Sequence, residues 1–300
     1  KNHRYALFLG CTIPKRYNNY DVSARKCAEA LEIEFVDMQE RGAGCCGPVF
    51  LRSVDFDTWI SMAAKNLVIA EEMNLDIVAL CNGCFGALKE ANHHLKHDEQ
   101  LRVRVNTVLT ESELPEFKGT IEVNHYIKML YDYGLENIEK KMTMRFDGLK
   151  AAVFYGCHCL KPSEAMQVDD PERPHILEDL VDITGAQAID WEYQLKCCGG
   201  PILAINEDVA VKLAQEKLDS AKAAGADCTI MICPFCEQMF DTQQLNIERR
   251  LKTKYDLPAL FYPQLLGLTL GYTFDDLGFQ FNRVPADKIK TFLSKIEQGE

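Results

Sequence analysis

Short apolar runs and longer amphipathic stretches alternate along the chain, and the alternation occurs twice. Tyr5–Leu9 and Ala152–Tyr155 are nearly unbroken apolar runs, each leading into a Gly-Cys pair, Gly10-Cys11 and Gly156-Cys157. Leu75–Leu80 and Asp227–Ile232 form a second matched pair, each ending at a CxxC. Runs of this length bounded by glycine or polar residues predict buried strands. Between them, Ser53–Glu72 and Asn206–Ala224 carry apolar residues at helical spacing: Ala63, Ala64, Leu67 and Val68 on one face, and Leu213, Ala214, Leu218 and Ala221 on the other segment's face. Each half closes with a further helical segment, Tyr126–Tyr133 and Gln264–Tyr272. Strand and helix alternate in both halves, which predicts an α/β protein with parallel sheets. The charged stretch Asn137–Lys150 marks the expected boundary, giving domains at 1–145 and 146–300. The longest apolar stretch, Leu257–Tyr272, is interrupted by Pro258, Pro263, Gly267 and Gly271 and reads as a buried helix, too short to span a membrane.

The cysteines repeat with the elements. Cys11, Cys45-Cys46 and Cys81-x-x-Cys84 are matched by Cys157, Cys197-Cys198 and Cys233-x-x-Cys236, so ten of thirteen cysteines fall on the pattern. Thirty-four residues lie between Cys46 and Cys81, and again between Cys198 and Cys233. A repeat of this kind dictates architecture. Cys11, Cys81, Cys157 and Cys233 each follow a predicted strand, where open α/β sheets bind ligands. The Cys-Cys pairs sit in glycine-bearing loops that let the backbone approach a bound group. Cys27, Cys159 and Cys228 stand outside the pattern and read as packing residues.

Composition narrows the chemistry. At 47% hydrophobic and 26% charged the chain fits a soluble globular protein, and a net charge of −12 argues against nucleic-acid binding. No export signal is visible at Lys1–Leu9, so a reducing cytoplasm is expected and a disulfide scaffold is not. The formal match Gly42-x-Gly44-x-x-Gly47 to a dinucleotide fingerprint lacks its second-half counterpart and its acidic partner. Each five-cysteine set then admits a tetrahedral zinc site, an iron–sulfur cluster or a redox dithiol. Zinc and an ordinary cubane each leave one thiol idle, and a cluster using all five accounts for the whole set.

The Cys–Cys-Cys-Gly–CxxC pattern resembles the CCG-domain family, twice over. Leu9-Gly-Cys-Thr-Ile-Pro14, Tyr155-Gly-Cys-His158 and Leu260-Phe-Tyr-Pro-Gln-Leu-Leu-Gly267 are most similar to the B-subunit family of heterodisulfide reductases from methanogens. The resemblance implies two pseudo-symmetric CCG domains, each a small parallel sheet flanked by helices, with a noncubane [4Fe-4S] cluster at the carboxyl ends of the strands. Cys11, Cys45, Cys46, Cys81 and Cys84 would hold one cluster, and Cys157, Cys197, Cys198, Cys233 and Cys236 the other. It further implies reduction of the coenzyme M–coenzyme B disulfide to two thiols. The partners it implies are a cubane iron–sulfur subunit and a flavin subunit, with a hydrogenase or formate dehydrogenase upstream. The chain itself carries no ferredoxin-type cysteine run, so electrons are expected from such a partner. Both arms of that substrate are anionic, and Lys15, Arg16 and Lys161, close after Cys11 and Cys157, are candidates to receive them. His158, beside Cys157, is the candidate proton donor. The alternative is an electron-transfer subunit of another CCG oxidoreductase, of the sulfur-oxidation, lactate/glycolate or succinate type.

Overall fold

The structure, a computed structural model, describes residues 3–47 and 49–298. Two four-stranded parallel sheets are ordered β2-β1-β3-β4 and β6-β5-β7-β8. In the first, β1 is Arg4–Phe8, β2 Glu34–Asp37, β3 Ile77–Ala79 and β4 Val123–His125. In the second, β5 is Lys150–Phe154, β6 Gln187–Ala188, β7 Cys228–Met231 and β8 Ala259–Phe261. Central strands are apolar along their length because both faces of a parallel sheet are covered; every residue of β3 and β7 is buried. From β1 the chain steps outward to β2, then crosses to β3 on the other side, so the order reverses between β1 and β3. The same reversal falls between β5 and β7. These are the positions where open sheets leave a crevice beyond their carboxyl ends.

Capping chemistry sets the long helices. Asp55 accepts from the Thr58 amide at 3.0 Å, so the expected Ser53–Glu72 helix runs Phe56–Met73, after a separate short helix Val49–Val54. Asn206 does the same for Glu207–Ala223, accepting from Val209 at 3.1 Å. The stretch Leu257–Tyr272 differs from its reading as a single helix. It begins as β8, where the Pro258 carbonyl accepts from the Thr229 amide at 2.9 Å, and becomes helix only at Tyr262–Thr269, with Pro263 in the first turn. Proline favours an extended residue before it and a helix start at its own position, which places the break.

The halves are interlocked through their closing helices. The Tyr262–Thr269 helix packs on the Asn18–Ala30 helix of the first half, and the Tyr126–Tyr133 helix packs on the Ile176–Asp182 helix of the second. Tyr20 stacks on Phe261 with ring centroids 4.0 Å apart and donates to the Ile232 carbonyl at 3.2 Å. The Cys27 thiol, fully buried, donates to the Pro263 carbonyl at 3.2 Å. Cys228 lies in β7 and is equally buried. The two sheets therefore share one continuous core.

Candidate metal centre at the junction of the halves

Each half delivers its thiols to the crevice from three directions. Cys11 and Cys157 lie just beyond β1 and β5, and Cys81 and Cys233 follow β3 and β7 as N-caps of the helices Asn82–His97 and Pro234–Phe240. The Cys-Cys pairs lie on the loops that follow β2 and β6. Gly10 and Gly156, at φ of 64° and 71°, turn the chain into the site. A Cβ on Gly10 would stand 2.6 Å from Cys84 Sγ, and one on Gly156 would stand 2.5 Å from Asn82 Nδ2 and 3.2 Å from Cys236 Sγ. Backbone and thiol are thus closer than any side chain allows.

The thiols of the two halves crowd together across the junction. Cys45 meets Cys46, Cys46 meets Cys84, and Cys84 meets Cys81. Cys81 then meets Cys233 of the other half. The contacts continue through Cys236 and Cys198 to Cys197 and Cys157. Crowding of this kind shifts neighbouring thiols in opposite directions. Cys81 is pulled well below the ordinary thiol range by Cys233 and Cys84, Cys46 by Cys45 and Cys84, and Cys197 by Cys157 and Cys198. Cys84, Cys157 and Cys236 are pushed up by their thiol neighbours and by burial. Cys197 and Cys198 also accept from the amides of Gly199 and Gly200, each at 3.4 Å. Anionic thiols are what a metal binds. Among the described residues no three His, Cys, Asp or Glu side chains gather about one point as a single ion requires. An all-thiol set backed by glycine is a donor set of the kind that iron–sulfur clusters use.

Both sets open into one cavity of about 640 Å³, lined by nine of the ten repeated cysteines, all but Cys197. Phe50, Ile202, Ile205 and Phe235 give it an apolar mouth. His158 lines it, with Nδ1 3.3 Å from Cys157 Sγ. Asn82 reaches across from the first half to the Tyr155 carbonyl at 2.5 Å. Lys15 and Arg16 line a neighbouring cavity of about 420 Å³ that shares Gln238 with the first. Burial and the adjacent Asp241 push the Glu237 carboxyl well up there, and Lys15, Arg16 and Arg283 line the same cavity with both carboxyls. Lys161 stands at the surface, paired with Glu172 at 3.2 Å, and does not line either cavity. Cys159 is fully buried and outside these thiol contacts.

Two residues at this site escape a reading of the sequence. Asn66 accepts from the Gly44 amide at 3.0 Å and donates to the Cys45 carbonyl at 3.1 Å. Lys217, 1% exposed, donates to the carbonyls of Tyr193, Gln194 and Lys196. Both are polar residues in an apolar register, Lys217 with Ala214, Leu218 and Ala221, and that register is the signal that finds them.

The cysteine-rich domain family (CCG) matches residues 5–89 and 151–241. The chain is 38% identical over 298 residues to the B-subunit of the ferredoxin:CoB-CoM heterodisulfide reductase of Methanosarcina mazei, covering 98% of this chain and 97% of that one. It is 30% identical over 285 residues to the 8-methylmenaquinol:fumarate reductase membrane anchor subunit of Wolinella succinogenes, covering 95% and 98%. A crystal structure of a hypothetical protein from Helicobacter pylori shares the fold, with a TM-score of 0.75 at 17% identity over 95% of this chain and 53% of that one.

Proposed function

The chain belongs to the cysteine-rich CCG-domain family, in its heterodisulfide reductase B-subunit lineage, and from that premise we propose that it is the catalytic subunit of a complex reducing the coenzyme M–coenzyme B disulfide. The observation that carries this reading is the single cavity onto which the thiols of both halves open. Cleaving a disulfide to two thiols consumes two electrons and two protons, and two repeat-related thiol walls set one metal-binding set on each side of the bond. Held by the ten repeated cysteines, a pair of noncubane [4Fe-4S] clusters would supply electrons singly and a soft, sulfur-binding metal.

The remaining roles fall to the chain's own groups. Phe50, Ile205 and Phe235 exclude water from the mouth. His158, on the cavity wall, hands a proton to a departing thiolate. Lys15 and Arg16 lend positive charge to an anionic substrate arm from the neighbouring cavity. Electrons come from partner subunits, one with cubane clusters and one with flavin, themselves fed by a hydrogenase or formate dehydrogenase. Thiols kept reduced at such a site suit the cytoplasm. Among the described residues no helix is long and apolar enough to cross a membrane.

The Wolinella relative favours a second reading, electron exchange with a different partner substrate such as a quinol. Anaerobic turnover with a reduced viologen dye separates the two. The first reading expects two thiols released per disulfide and two electrons consumed. Failure with every disulfide, alongside cluster reduction by a quinol, would replace it with the second.

A further inference from the structure

The repeat lets the two sites be compared position by position. Eleven residues beyond the caps Asp55 and Asn206 stand Asn66 and Lys217, each under the Cys-Cys loop of its own half. Asn66 buttresses its loop with a neutral amide. Lys217 buttresses the other with an ammonium, its Nζ also 3.9 Å from the Phe154 ring centroid and 4.7 Å from that of Trp191. Three carbonyls receive its bonds, and three donors are available only to the protonated side chain. Burial draws its pKa down to about 7, and the three carbonyls together with the two ring faces are the groups that hold the cation. The residue after the first cysteine differs as well. Thr12 offers Cys11 a hydroxyl at 3.6 Å, and His158 offers Cys157 a ring nitrogen at 3.3 Å.

We propose that Lys217 is a positioning residue that makes the second-half site the stronger electron acceptor of the pair. The inference rests on the reading that each half holds an iron–sulfur cluster. Net charge and nearby donors set the potential of such a group. A buried positive charge stabilises the more negative, reduced state, and it acts in surroundings where water screens little. Asn66 adds no charge to the first site. One electron from an external reductant therefore settles in the second half, and the two sides of the cavity are unequal before any substrate enters.

The test is a reductive titration of the cluster-loaded full chain, followed by electron paramagnetic resonance, with Cys45→Ser used to mark the first-half signal. The wild type is expected to show two separate potentials, the more positive belonging to the second half. Lys217→Met should lower the electron affinity of that site about tenfold or more, about 59 mV for one electron, and leave the other in place. Lys217→Arg, which keeps the charge, should stay near the wild-type value, an outcome that a purely packing role would not give. If Lys217→Met loses iron, the wild-type titration decides, because coincident potentials in iron-loaded protein overturn the inference alone. Wild-type protein without iron or sulfide overturns the cluster reading and this inference with it.

Discussion

Gly10 and Gly156 bring the backbone to the thiols at left-handed φ, where an added Cβ meets Cys84 Sγ or Asn82 Nδ2 at 2.6 and 2.5 Å. Gly10→Ala must therefore strain the backbone by about 1–2 kcal/mol and displace the Cys84 thiol as well. The expected outcome is a folded protein carrying about half the wild-type iron, with Gly156→Ala failing at the other site, each measured by iron and sulfide content. His125 supplies a second case. It is fully buried, its Nδ1 accepts from the Ile127 amide at 3.3 Å, and its repeat mate is Phe261. Burial holds its pKa at about 3, offset only in part by the nearby Ile232 and Leu80 carbonyls. The unfolded chain binds this proton near pH 6.5 and the native chain does not. Stability from this group is thus full above about pH 6.5 and falls as pH drops toward 3, by about 2 kcal/mol at pH 5. Acid unfolding of His125→Phe should show a shallower decline than the wild type over that range. The cysteines that gather at the cavity were legible because their spacing repeats. Asn66 and Lys217 were not, since a polar residue in an amphipathic helix reads as solvent-facing until its register is checked against Ala63, Leu67, Ala214 and Leu218.

At the scale of elements, the strands that end at cysteines were legible because they are short, apolar and bounded by glycine. The outer strands were not. β2 is half-exposed Glu-Phe-Val-Asp, and β6 is two residues long. β4 and β8 are hidden because each runs directly into a helix that shares its apolar character. The exchange of closing helices was beyond the sequence for a different reason: periodicity identifies a buried face without saying which half buries it. That exchange predicts mutual dependence. Tyr20 spans the junction by its stack on Phe261 and its bond to Ile232. Tyr20→Ala should cost about 3–5 kcal/mol, read by denaturant unfolding, and should loosen both halves together in one transition. Two separate transitions would show the halves to be independent.

Over the whole molecule, the duplicated pattern announces two sites but not their meeting. Cys81 and Cys233, 152 positions apart, come into contact only because both sheets present their reversal points to the same junction. That convergence turns two cysteine-rich modules into one two-walled cavity, whose walls, on the proposed function, both hold iron and act on one substrate. Cys81→Ser, which removes the first-half thiol that lies against Cys233, should lose iron and all disulfide reduction together. The most direct measurement is an anaerobic iron, sulfide and zinc count on the purified full chain, with spectroscopy before and after adding the coenzyme M–coenzyme B disulfide. About eight irons per chain with matching sulfide, and spectra altered by the substrate, are the expected result. About two zincs and no sulfide, with spectra indifferent to the disulfide, would contradict it.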